Sequence, residues 1–252
     1  MEIQILTEFV YRLAFGLALA MACTSPLLVT SGYFRVHSYV LLGLASLSAL
    51  VAFSEPDRFA LWPAIASALT SYLASAVWLY EKWTAGRVLL VIVALLSLVG
   101  AWLALPAAHA TTTAVTGLDA LDTLASGLLL GSAMAAMLLG HWYLNTPSMQ
   151  LAPLKRLVLL LAGAVALRAL VSLVGLGLEV QSQGWPSQHL AFVALRWLAG
   201  ILGTGVVTVM TWQTLKIPNT QSATGILYVG VITTFLGELT AQLLSSQTMY
   251  PL

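Results

Sequence analysis

Eight continuous apolar runs occupy most of this 252-residue chain, and they leave few folds open to it. In hydrocarbon an unpaired backbone N–H or C=O is too costly to keep, so only helices and closed barrels cross a membrane. The runs lack the apolar–polar alternation of barrel strands, which leaves helices. They read approximately as Phe9–Val29, Val36–Phe53, Phe59–Tyr80, Val88–Leu105, Leu118–Tyr143, Leu157–Leu178, Leu190–Trp212 and Ala223–Leu244. Each reaches across about 30 Å of hydrocarbon at about 1.5 Å per residue, the second only just. The breaks carry turn chemistry: Ser31-Gly32, Ser54-Glu55-Pro56-Asp57, Thr84-Ala85-Gly86, Asn145-Thr146-Pro147, Gly184-Trp185-Pro186 and Ile217-Pro218-Asn219.

Composition agrees. Charged residues are 8% of the chain and hydrophobic ones 60%, where a soluble domain carries about 25% charged residues. The fold expected is therefore all-α, a polytopic membrane bundle of about eight helices forming one domain over residues 1–252. A net charge of +1 points to no nucleic-acid partner. The single cysteine, Cys23, excludes an internal disulfide and a cysteine metal cage. Glu2 and Glu8 stand where a secretory signal carries Lys or Arg, so no conventional signal peptide is expected.

The loops divide by charge. Those after the first, third, fifth and seventh runs hold Arg35, Lys82, Arg87, Lys155, Arg156 and Lys216, with Glu81 the one acid. The opposite side holds Arg12 and Arg58 beside Glu2, Glu8, Glu55, Asp57, Asp119, Asp122 and Glu179. The positive-inside rule makes the first side cytoplasmic and puts both termini on the non-cytoplasmic side. Asp119 and Asp122 are expected to cap the start of the fifth helix on that outer face.

Arg168, Arg196 and Glu238 fall inside the apolar runs, where charges are kept for pairing or for function. Counting from the run ends places Arg196 and Glu238 at one depth on adjacent helices, with Arg168 about one turn away. A Glu238–Arg196 ion pair with Arg168 close by is expected. Two arginines against one glutamate leave a surplus positive charge, which favours an anionic ligand or partner group.

Histidine supplies a second constellation. His37 opens the second run and His141 closes the fifth, both at the cytoplasmic face. Two histidines on different helices at one depth suit the axial positions of a b-type haem, the one metal role considered for them. The neighbouring Arg35, Trp142, Tyr143 and Asn145 suit the edge of a haem or the head of a quinone, or simply an interfacial aromatic belt. His109 and His189 read as solvated or interfacial residues of the outer side. No phosphate-binding loop, dinucleotide fingerprint, nucleophile elbow or Cys-x-x-Cys pair is present, so no enzymatic chemistry is assigned.

These readings lead to an integral membrane subunit of an electron-transfer complex of respiratory type. It would offer a quinone or haem b pocket, sit in a bacterial inner membrane and be partnered by lipid and other membrane or redox subunits. A small-molecule or ion transporter and a structural subunit without its own site are the alternatives. Stripes of small residues (Gly127, Gly131 and Ala135; Ala162 and Ala166; Gly200, Gly203 and Gly205) are expected to let helices pack closely.

Overall fold

A computed structural model describes residues 2–54, 58–105, 113–146, 148–183, 190–217, 219–248 and 250–251. Each apolar run forms a helix, and among the described residues eight helices are long and apolar enough to cross a membrane. They are α1 (Glu2–Cys23), α2 (Ser31–Phe53), α3 (Leu61–Leu79), α4 (Trp83–Leu103), α5 (Thr113–Asn145), α6 (Ala152–Gln183), α7 (Leu190–Thr214) and α8 (Thr220–Ser245). The protein is an integral membrane helix bundle.

Two helices form its centre. Over their most apolar windows α1 is 83% and α5 78% buried, against 33% to 44% for the other six. The reason lies in small residues. Any Cβ on Gly16 would collide with the Gly127 backbone, and any on Gly131 with the Gly16 backbone, so α1 and α5 touch main chain to main chain. Around this pair, α2, α3 and α4 pack on one side and α6, α7 and α8 on the other. The outward faces are rich in Leu, Val and Ile, with exposed aromatics such as Trp62 and Tyr80 among them, as a lipid-facing surface requires. Ala162 and Ala166 face outward on α6 rather than lining a helix contact.

Many buried hydroxyls are satisfied locally, although those of Ser48, Ser67 and Ser71 have no partner among the described residues. Thr24, Ser38, Thr123, Thr208, Thr211 and Thr224 each donate to the carbonyl four residues earlier, which lets polar side chains sit within apolar helices. Asn219 caps α8, its Oδ1 accepting from the Ser222 amide at 2.9 Å.

Several boundaries differ from the sequence reading. α2, α4 and α6 start at Ser31, Trp83 and Ala152, each about five residues before the expected start, so Ser31-Gly32 and Thr84-Ala85-Gly86 lie in first helical turns rather than in breaks. The first helix starts at Glu2 and ends at Cys23, so it lies about one to two turns earlier than Phe9–Val29. Glu8 and Arg12 therefore sit inside a helix that runs to the protein centre. The predicted start at Phe9 left Glu8 outside the run and Arg12 in its first turn, where a charge reads as surface, whereas here the charges are paired. The fifth helix likewise starts at Thr113 rather than Leu118, which moves Asp119 and Asp122 from its cap into its body, where both are buried.

The seventh helix is not uniform. Residues Arg196–Gly203 are π-helical, between α-helical Leu190–Leu195 and Thr204–Thr214. π-Helical turns are rare and are frequent at functional sites. This one begins at a buried arginine and carries Gly200, which lies against Gly237 of α8 so closely that neither position has room for a Cβ.

Candidate functional site

Five helices contribute to one buried chain of charges. Glu238 of α8 is fully buried, and its Oε1 accepts from Arg168 Nε of α6 at 3.0 Å and from Arg196 of α7 at 2.9 Å. Arg196 also donates to Ser172 Oγ of α6 at 3.0 Å. Arg168 extends through its other nitrogen to Asp122 of α5. Asp122 in turn accepts from Arg12 of α1 at 2.7 Å, and Arg12 reaches Glu8, one turn earlier, at 3.2 Å.

The three residues singled out in the sequence thus meet around one carboxylate. Depth counting placed Arg196 and Glu238 side by side, and they do touch. Arg168 closes the remaining turn with the length of its guanidinium arm. What the sequence reading missed is the rest of the chain, namely Asp122, Arg12 and Glu8. The missed signal was the i, i+4 spacing of Glu8 and Arg12 with an apolar helix on either side.

Their inclusion removes the expected surplus of positive charge. Arg12, Arg168 and Arg196 stand against Glu8, Asp122 and Glu238, three cations against three anions. Signs alternate along the chain, so every internal member touches opposite charge on both sides. Such neutrality is what makes burial tolerable, because an unpaired ion at this depth carries a large desolvation penalty.

The network also has a direction. At about 1.5 Å per residue, Arg12, Asp122, Arg196 and Glu238 all lie about 9–15 Å from the ends of their helices on the acid-rich side. The chain of charges runs across the bundle, from α1 through α5 and α6 to α8 and α7. Two donors remain open within it: the Nε atoms of Arg12 and Arg196 are buried without a partner among the described residues. One turn further along α8, both amide atoms of buried Gln242 are in the same position. Open polar atoms in such a place are sites for ordered water.

The histidine constellation lies at the other, basic-loop end. His37 is buried in the second turn of α2, and its Nδ1 lies 2.6 Å from the Tyr33 carbonyl. A carbonyl only accepts, so Nδ1 carries the proton, and in the neutral ring Nε2 keeps its lone pair. Among the described residues Nε2 has no hydrogen-bond partner. The ring packs 4.3 Å from Tyr33 and 6.1 Å from Trp142, and Phe34 stacks on Trp78 at 4.3 Å beneath. Trp142 is fixed in turn, its indole N–H donating to Thr30 Oγ1 at 2.9 Å over Gly32.

His141, by contrast, is exposed and faces Tyr228 of α8, whose hydroxyl lies 3.3 Å from its Nδ1. Among the described residues no ring contact joins the two histidines: His37 packs on Tyr33 and Trp142, and His141 on Tyr228. Tyr143 is buried, its hydroxyl donating to the Gln150 carbonyl, while Asn145 is exposed at the end of α5 and Arg35 is half-buried. Of the residues singled out, the structure therefore gathers His37 and Trp142 with Tyr33, and sets His141, Tyr143 and Asn145 around the end of α5. His109 and His189 lie outside the described residues.

No family model, curated protein or solved structure matches this chain.

Proposed function

We propose that this protein is a membrane subunit of an electron-transfer complex of respiratory type, with a quinone-headgroup site at His37. The observation that carries the reading is the fixed tautomer of His37. A ring held by Nδ1–H on a backbone carbonyl presents Nε2 as a positioned acceptor. That is what a quinol hydroxyl needs when it hydrogen-bonds to the protein. Half-buried Trp142 offers a flat surface beside the ring, Tyr33 is fully buried and holds the ring in place, and the position near a helix end suits a headgroup whose tail lies in lipid.

The same lone pair suits a haem iron, since a ligating histidine usually donates its other N–H to a carbonyl or carboxylate. The loop charges orient the His37 end toward the cytoplasm by the positive-inside rule, with both termini outside, in a bacterial inner membrane. Redox partners would be other subunits of the complex.

The test is direct. Titrating the purified full-length chain with a short-tailed quinone should quench tryptophan fluorescence saturably, and His37→Ala should weaken that binding about tenfold, the worth of one buried hydrogen bond. Non-saturable quenching in the unmodified protein, or an unchanged midpoint in His37→Ala, would overturn the reading. An absorption spectrum of the same sample distinguishes the haem version by its Soret band.

A second reading, a structural subunit without its own site, is favoured by the alternating opposite-charge contacts along the Glu8–Glu238 network. It predicts no ligand at His37 and the same destabilisation when the network is cut.

A further inference from the structure

The turn between α1 and α2 stands over a groove on the side of α4. The groove has a volume of about 720 Å³ and is lined by Leu27, Trp83, Arg87, Val88, Val91 and Ile92. That volume falls in the range of about 300–1,000 Å³ typical of ligand clefts. Its length is apolar, since Val88, Val91 and Ile92 follow one face of α4 and are 53%, 42% and 39% exposed. Its mouth is polar: Arg87, Ser25 and Thr84 meet there.

Arg87 is held in place. Its Nε donates to the Ala22 carbonyl at 3.2 Å, the last turn of α1, so the guanidinium is pinned across the top of the groove. Lys82 directly precedes α4 and is exposed. The nearest acid, Glu81, is directed elsewhere: it sits in the left-handed region at φ 55° and accepts from Ser31 Oγ at 3.2 Å on α2. On the far side of the same turn a smaller cleft of about 140 Å³ carries Arg156. The groove mouth thus has fixed positive charge above an apolar channel, with a tryptophan at the level where indoles settle in membranes.

We infer that this groove binds an anionic phospholipid, its phosphate on Arg87, with exposed Lys82 next in sequence to the lining residues Trp83 and Thr84, and one acyl chain along Val88, Val91 and Ile92. Charge selects the occupant. A neutral helix from another protein would fill the apolar length but leave the pinned cation without a counter-charge. A phosphodiester satisfies both ends at once. The Ser25 and Thr84 hydroxyls add neutral donors to the phosphate. Basic residues at a membrane surface contribute to anionic-lipid binding at about fivefold in affinity for each cation.

The experiment uses the full-length protein in nanodiscs of phosphatidylcholine with a minor fraction of brominated lipid. Bromine quenches nearby indoles, and the contribution of Trp83 is isolated by comparison with Trp83→Phe. Brominated phosphatidylglycerol should quench Trp83 several-fold more strongly than brominated phosphatidylcholine at equal mole fraction. Arg87→Gln should remove most of that preference, and Lys82→Gln, an exposed site with no fold role, should reduce it. Arg87→Lys should retain it. Equal quenching by the two lipids would overturn the proposal, as would a preference untouched by both Gln variants. Quantitative cross-linking of Val91→Cys to a neighbouring protein chain, with no quenching by either lipid, would show a protein occupant and overturn it as well.

Discussion

At the acid-rich end Glu238 is 0% exposed and takes hydrogen bonds from two arginines, while at the basic end His37 is 5% exposed and has one partner, the Tyr33 carbonyl. Both are buried polar groups in apolar helices. Ions repel burial strongly, so the first region recruits partners from five helices until charge is cancelled. A neutral imidazole costs less to bury, so the second region needs only its own helix and a packing of aromatic rings. The consequence is that every carboxylate of the network is taken up by an arginine, while His37 Nε2 has no partner among the described residues.

The comparison is broken most severely by cutting the network at its most connected member. Glu238→Gln leaves Arg168 and Arg196 under-compensated and is expected to cost about 3–5 kcal/mol, read as a drop in Tm or in yield of folded protein in detergent. A loss below about 1 kcal/mol would mean that the two arginines find other partners and that the network is not the keystone of the C-terminal half.

Asp122→Asn comes next, at about 3 kcal/mol, because Arg12 and Arg168 share that carboxylate. It has a signature of its own. Asp122 is the charged link between α1 and the C-terminal helices, beside the apolar Phe9–Phe235 contact, so amide exchange in α1 should rise in this variant. Unchanged exchange in α1 would indicate that glycine packing with α5 alone holds it.

At the basic end the effects should be smaller. His37→Gln removes one hydrogen bond and some ring packing, for about 1–2 kcal/mol by thermal denaturation. A loss as large as that of Glu238→Gln would erase the distinction drawn between the two regions. Smallest of all is His141→Ala. Its ring is exposed with a long contact to Tyr228, and stability should stay within about 0.5 kcal/mol. Any larger change would place His141 in a structural role that its exposure does not suggest.

How legible was this in the residues themselves? The helices were, because length and apolarity in lipid admit no other solution. Arg168, Arg196 and Glu238 were, because a charge in an apolar run is conspicuous and depth follows from counting. Asp122, Arg12 and Glu8 were not. They lie near the predicted ends of their runs, where a charge reads as a cap or a loop residue. Only the earlier starts of α1 and α5 bring them to the depth of Arg168. His37 and His141 looked equivalent by depth, yet rotation about the helix axis sets one inward and the other outward, and that rotation is decided by packing. The π-helical stretch left no trace in the periodicity of its run.

The sequence by itself determined that this is a bundle of membrane helices, how many there are, and that the C-terminal ones bury opposite charges. Composition and run length suffice for that, since the bilayer imposes the same rule on every chain. Tertiary structure alone decided which carboxylate meets which guanidinium, that the described network sets three cations against three anions, and which histidine is buried and which exposed. Those depend on helix rotation and on where glycines let backbones touch, as Gly16 does with Gly127 and Gly131, and neither is written in any single helix.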